Sequence, residues 1–256
     1  MKKTIILCVL CLLSSMYAKV TAQAFWLPAV KDVNKNIRLL ECSYNEAELK
    51  HCEEINSSSN WEVRTEQTMA NGGKLYTFSF TARRDMKDAG VAVAFDRYGW
   101  TSDNYVMIPS SVYNGNRQRI VNRSYATGLD KTDYNRKDLA LTSNPIPQLS
   151  PEFGAPSRLE INVSNAATPA MTMLERGKKS GTILLTDQGI EWDSQLLDHA
   201  LIVEETPDRS IASFVVSAPG VRERKPEFIG FSKSPDRGIQ VKKGDRIGGE
   251  IVVRVE

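Results

Sequence analysis

The sequence predicts an all-β fold, a large antiparallel β-sandwich with few short helices. Three observations predict it. Apolar and polar residues alternate with a period of two in many short runs, turn residues separate most of those runs, and few segments carry the 3.6-residue period of a helix. Many short strands with punctuated turns fit two packed sheets.

The N-terminus reads as a targeting segment outside this pattern. Lys2 and Lys3 precede an apolar run from Ile5 to Tyr17, which is short for a membrane span, and Val20-Thr21-Ala22 places small residues at a cleavage site. Residues 1–22 are thus expected to be a signal peptide cleaved before Gln23, with Cys8 and Cys11 inside the apolar run and too early for lipidation. The expected product is a periplasmic or extracellular protein, free of the membrane after cleavage. Taking 22 residues from 256 leaves 234, enough for a β-sandwich domain over 23–256. Lys2, Lys3 and Lys19 leave with the signal, so 30 basic residues face 31 acidic ones and the net charge falls near −1. A nucleic-acid partner calls for a basic excess, which this balance lacks.

Cys42 and Cys52 remain after cleavage. Export permits a disulfide between them, two buried thiols being the alternative; a zinc site with His51 lacks the paired ligand spacing. Between them, Asn45 to Lys50 offers one or two helical turns. Trp61 to Thr65 alternates, Asn71-Gly72-Gly73 marks a turn, and Leu75 to Phe80 alternates again, the signature of a hairpin. Gly90 to Phe95 is a compact apolar strand, and Tyr105 to Ile108 leads through Pro109 to the Asn114-Gly115 turn. Prolines 145, 147, 151 and 156 stiffen residues 143–157, read as a crossover within the sandwich, a link between two domains being the alternative. Further strands are expected at Arg158–Val163, Met171–Leu174, Gly181–Leu185, His199–Val203, Ile211–Val216 and Gly249–Val255. Trp192, Leu196, Leu197, Ala200 and Leu201 also fit a helical stripe, but a loop entering a strand is favoured.

Several chemistries find little support. His51 and His199 are the two histidines, one beside a cysteine and one in an apolar segment, and no Gly-x-Ser-x-Gly elbow is present. Arg176 to Thr182 resembles a phosphate loop but has Thr172 where the first glycine belongs, which leaves a basic turn between strands. Asp130, Asp133, Asn135 and Asp138 lack the spacing of a calcium loop. Glu191 and Asp193 flank Trp192, and Glu204 and Glu205 are adjacent, which an ordinary solvated face also explains. No metal, cofactor or catalytic constellation is assigned.

One cluster favours a ligand. Tyr98, Trp100, Tyr105, Tyr113, Asn114, Asn116 and Arg117 lie within twenty residues. Rings stack on the C–H faces of sugars, while amides and Arg bond the hydroxyl rims. Trp100, Tyr105, Tyr113, Asn114, Asn116 and Arg117 are therefore the candidate carbohydrate-binding residues. Asp103-Asn-Tyr-Val-Met-Ile-Pro109 with Val112-Tyr-Asn-Gly-Asn-Arg117 resembles the N-terminal mutarotase-like β-supersandwich of exported bacterial glycoside hydrolases, the polysaccharide-utilisation type followed by an (α/α) toroid. The resemblance implies an accessory, non-catalytic domain, with carbohydrate or a catalytic (α/α) domain as partner, because no run of amphipathic helices follows the strands. A stand-alone glycan-acting hydrolase and a cell-surface structural or adhesion module are the alternatives.

Overall fold

The computed structural model describes residues 36–44, 51–70, 73–109, 112–117, 147–178, 180–192, 194–220, 226–227, 230–231 and 238–255. Seventeen strands form in chain order: β1 (Ile37–Ser43), β2 (His51–Glu54), β3 (Trp61–Ala70), β4 (Gly73–Ala82), β5 (Met86–Tyr98), β6 (Tyr105–Met107), β7 (Ser157–Asn162), β8 (Ala170–Glu175), β9 (Ser180–Thr186), β10 (Ile190–Trp192), β11 (Gln195–Leu197), β12 (Ala200–Glu205), β13 (Ile211–Ala218), β14 (Pro226–Glu227), β15 (Gly230–Phe231), β16 (Ile239–Val241) and β17 (Arg246–Val255). Fifteen of them make an all-β sandwich of two antiparallel sheets, and β14 pairs only with β15. The seven-stranded sheet runs β2-β1-β5-β13-β12-β7, with β16 also on β5. The eight-stranded sheet runs β11-β10-β17-β9-β8-β6, with β4 on β17 and β3 outside β4.

The alternation seen in the sequence sorts side chains between the sheets. Phe78 and Phe80 of β4, Ile247 and Ile251 of β17, and Val91, Val93 and Phe95 of β5 turn inward to one continuous core with Leu201, Val203, Phe214 and Val216. Burying each phenylalanine stabilises the fold by about 1.5–3 kcal/mol. On β5 the residues between these, Ala92 and Ala94, face the other way and are also buried. With Leu40, Ala200, Ile202 and Val215 they form a second apolar cluster, consistent with the registers Leu40↔Ala92 and Ile202↔Val215. Both faces of this sheet are therefore apolar at its centre, which explains why β5 reads as a continuous apolar run.

The β3–β4 hairpin forms as expected and extends to ten residues a side. Cys42 and Cys52 sit opposite one another on β1 and β2 and are joined by a disulfide. The Trp192–Leu201 stripe is not a helix: β10 and β11 make a hairpin and β12 follows, because Leu201 is needed inside the sheet. The basic segment after Glu175 is a turn between β8 and β9. The signal segment 1–22, the Asn45–Lys50 turns and the Asp130–Asp138 segment lie outside the described residues.

Candidate functional site

The residues singled out in the sequence meet at one end of the sandwich, but the fold uses most of them. Trp100 is 3% exposed and packs edge-on against Phe214 at 5.9 Å, so it offers a ligand no open ring face. Asn116 organises its own turn: its Oδ1 accepts the Tyr113 backbone N–H at 3.1 Å and its Nδ2 donates to the Pro147 carbonyl at 2.7 Å. Gly115 has φ +70°, and a Cβ there would stand 3.2 Å from Leu149 Cδ1. The Asn-Gly pair is therefore a tight turn clamped onto the proline-rich segment. Tyr105 is half-buried on β6, and the Asn114 side chain lies outside the described residues. Tyr113 is 69% exposed and remains open to a ligand.

Arg117 is engaged by Glu205, whose buried carboxylate is the hub of this end. Arg117 Nη2 contacts Oε1 and its Nη1 donates to Oε2 at 2.9 Å; Trp100 Nε1 donates to Oε1 at 2.6 Å and Ser157 Oγ to Oε2 at 2.6 Å. Arg209 Nε approaches Oε2 at 3.6 Å and its Nη2 donates to the Glu152 carbonyl at 2.6 Å. Burial alone would raise the Glu205 pKa, but the donors from Arg117, Ser157 and Trp100 outweigh it and hold the carboxyl below its usual range. The hub ties the Tyr113–Arg117 turn to the Ser150–Ser157 segment, which also carries Phe153, 77% exposed. A hub so fully donated to is a structural anion, with no proton to give. Glu175 follows the same logic, held low by Lys178 and Arg97 against its burial. Neither arginine pairing was legible, because partners 78 and 88 residues apart leave no local pattern. Phe153 also escaped notice, being isolated in the proline-rich stretch.

His199 is wholly buried, with Nε2 2.8 Å from Thr186 Oγ1. Burial lowers its pKa to about 4, so the ring is neutral and structural rather than a general base in an open cleft.

The concave feature with the best-assorted lining lies elsewhere, on the outer face of the eight-stranded sheet. A trough of about 620 Å³ runs over β17 between β4 and the β10–β11 hairpin. Register explains its shape. Gly248 faces Ser79 on one side and Glu191 on the other, so a position without a side chain lies between two that have one. A Cβ at Gly248 would meet only the Phe78 carbonyl, at an ordinary 3.5 Å, so packing does not demand glycine there. Gly249 differs: its Cβ would stand 2.7 Å from Ile190 Cδ1 in the core. One glycine serves the inside of the sandwich and its neighbour leaves the furrow outside.

The trough walls carry Asp187, Glu191, Glu250 and Arg246, with Leu196 as the exposed apolar contributor; Trp192 also borders it, but its partly buried side chain packs against the core. The Glu250 backbone N–H donates to Asp187 Oδ2 at 3.3 Å, and Arg246 Nε is bonded to Ser79 Oγ. Leu196 is 71% exposed, resting over Gly189, where an added Cβ would come within 3.1 Å of it. Trp192 Nε1 is buried and has no hydrogen-bond partner among the described residues. A buried donor left unmet costs about 1–3 kcal/mol. Among the described residues no cluster of three His, Cys, Asp or Glu side chains is placed to hold a metal.

No family model and no curated protein matches the chain. The crystal structure of the Slr1438 protein from Synechocystis sp. PCC 6803 superposes with a TM-score of 0.37 at 9% identity, over 90% of this chain and 64% of that one. The chain thus spans 64% of the length of that solved protein, and the functional reading rests on the geometry of its own site.

Proposed function

We propose that the chain is an exported, carbohydrate-associated β-sandwich that holds a glycan on the outer face of its eight-stranded sheet and leaves bond cleavage to a partner catalytic domain. The observation that carries this reading is the Gly248 furrow, flanked by Glu191, Glu250 and Arg246 and bordered by the exposed Leu196. Carboxylates and a guanidinium suit the hydroxyl rim of a sugar, and Leu196 suits its C–H face. An open trough of this size excludes little water, so each apolar contact contributes on the order of 1 kcal/mol and binding is weak, with Kd near the millimolar range. The non-catalytic part of the reading is supported by Glu175 and Glu205, buried acids held ionised by arginine. The exposed Tyr113 at the far loop suits contact with a neighbouring domain or a second stretch of glycan.

Affinity electrophoresis and calorimetry of residues 23–256 against plant and host polysaccharides test the proposal. Binding to at least one glycan, abolished in Gly248→Leu and without release of reducing sugar, is the expected result. Release of sugar by the purified protein would instead establish a stand-alone hydrolase.

A further inference from the structure

We propose that β3 is a self-association edge, through which two copies of this chain join their eight-stranded sheets by antiparallel β3–β3 pairing with Thr65 opposite Thr65. The strand is ten residues long and pairs with β4 along one edge, and no described strand pairs with the other. Every residue from Arg64 to Met69 is exposed, so both faces of the strand are open as well as its outer edge. An edge of this length presents a ladder of unmet backbone donors and acceptors, a template for another strand.

The sequence of the edge selects its partner. A two-fold axis perpendicular to the sheet preserves faces, so residues of like parity must pair. Four registers then overlap most of the strand, and the one centred on Gln67 is shorter than that centred on Thr65 and sets no charges opposite one another. Placing Arg64 opposite Arg64 also sets Glu62 against Glu66. Placing Glu66 opposite Glu66 sets like charges together on the axis. The register centred on Thr65 avoids both: it sets Arg64 of each copy opposite Glu66 of the other, twice by symmetry. Opposite charges facing across antiparallel strands are favourable and like charges are not, so this register wins over its neighbours. Among the described residues, the ion pair Arg64 surrenders is a loose one, with Glu62 Oε1 at 3.7 Å.

The same register resolves a second feature. Met69 is 70% exposed, while Trp61 and Val63 on the same side of the strand are buried and half-buried. Pairing about Thr65 brings Met69 opposite Trp61 of the second copy, at the rim of that copy's core. One alignment thus gives the charges partners and the exposed methionine an apolar neighbour. A contact of one strand from each copy is small, so the dimer is weak and concentration-dependent, populated at about 100 µM and dissociated near 1 µM.

Sedimentation of the 23–256 protein across that range tests the idea. Arg64→Glu and Glu66→Arg should each weaken dimerisation at least fivefold, since either creates two like-charge pairs. The double variant R64E/E66R should return to within about twofold of the parent, and Met69→Gln should weaken it. All three positions are exposed, and a thermal melt verifies that each variant is folded. A protein monomeric at 300 µM would overturn the proposal. So would a dimer indifferent to the single changes, or one that the double exchange fails to restore.

Discussion

Replacing Glu205 by Gln removes the anion on which one end of the sandwich is organised. The Arg117 and Arg209 side chains are 15% and 4% exposed, so both guanidinium groups would remain buried without their carboxylate. Stripping one partner from a buried, hydrogen-bonded ion pair costs about 3–5 kcal/mol. That is a large part of the 5–15 kcal/mol that holds a typical domain together. Arg117→Met should cost less, about 1–3 kcal/mol, because Glu205 keeps Ser157, Trp100 and Arg209. Urea unfolding followed by tryptophan fluorescence measures both, and Trp100 itself reports on the site. The carboxyl pKa is lowered in the folded state, so the unfolded chain binds the proton more readily. The contribution is therefore complete above the unfolded glutamate value of 4.5 and is lost as pH falls through the lower folded value. An E205Q variant within 1 kcal/mol of the parent, with unchanged acid sensitivity, would refute the reasoning.

Three more outcomes follow from the same coordinates. His199 takes up its proton near pH 4 when folded and near 6.5 when unfolded, so stability should decline by about 3 kcal/mol as pH drops through that window, and His199→Gln should flatten the decline in pH-dependent melts. Cys42→Ala with Cys52→Ala opens a loop of sequence separation 10 and should lower unfolding free energy by about 3 kcal/mol, matching the loss on reducing the parent protein. Gly249→Ala should destabilise by about 1–3 kcal/mol by pressing on Ile190, with Ile190→Val relieving it, whereas Gly248→Ala should leave the melting temperature unchanged and reduce glycan binding.

Several strands were legible because the two-residue period is a local property: Leu75–Phe80, Gly90–Phe95 and Ile211–Val216 each lie within the strands that form, whereas β1, β2, β10, β11 and β16 were not read as strands. Strand ends were not legible, since β5 extends to Met86 and Tyr98 only because β1, β13 and β16 pair along it. The site was harder. Rings and amides near Asn114 signal polarity and aromaticity in sequence, but cannot reveal that Glu205, 88 residues beyond Arg117, claims the guanidinium. Asn116 looked like a ligand-facing loop residue and is instead, with Gly115, the clamp of a turn. The trough is built across β4, β17 and β10, whose pairing brings Ser79, Gly248 and Glu191 into one row. No window of sequence contains that row.

The most direct test of the account is calorimetric titration of the 23–256 protein with a glycan that it retains in affinity gels, repeated with Leu196→Ala, Gly248→Leu and Tyr113→Ala. Binding held on the outer sheet face should vanish in the first two, with melting temperatures near the parent's, and survive or weaken modestly in the third. Undiminished affinity in both trough variants, or no retention by any polysaccharide, would contradict it.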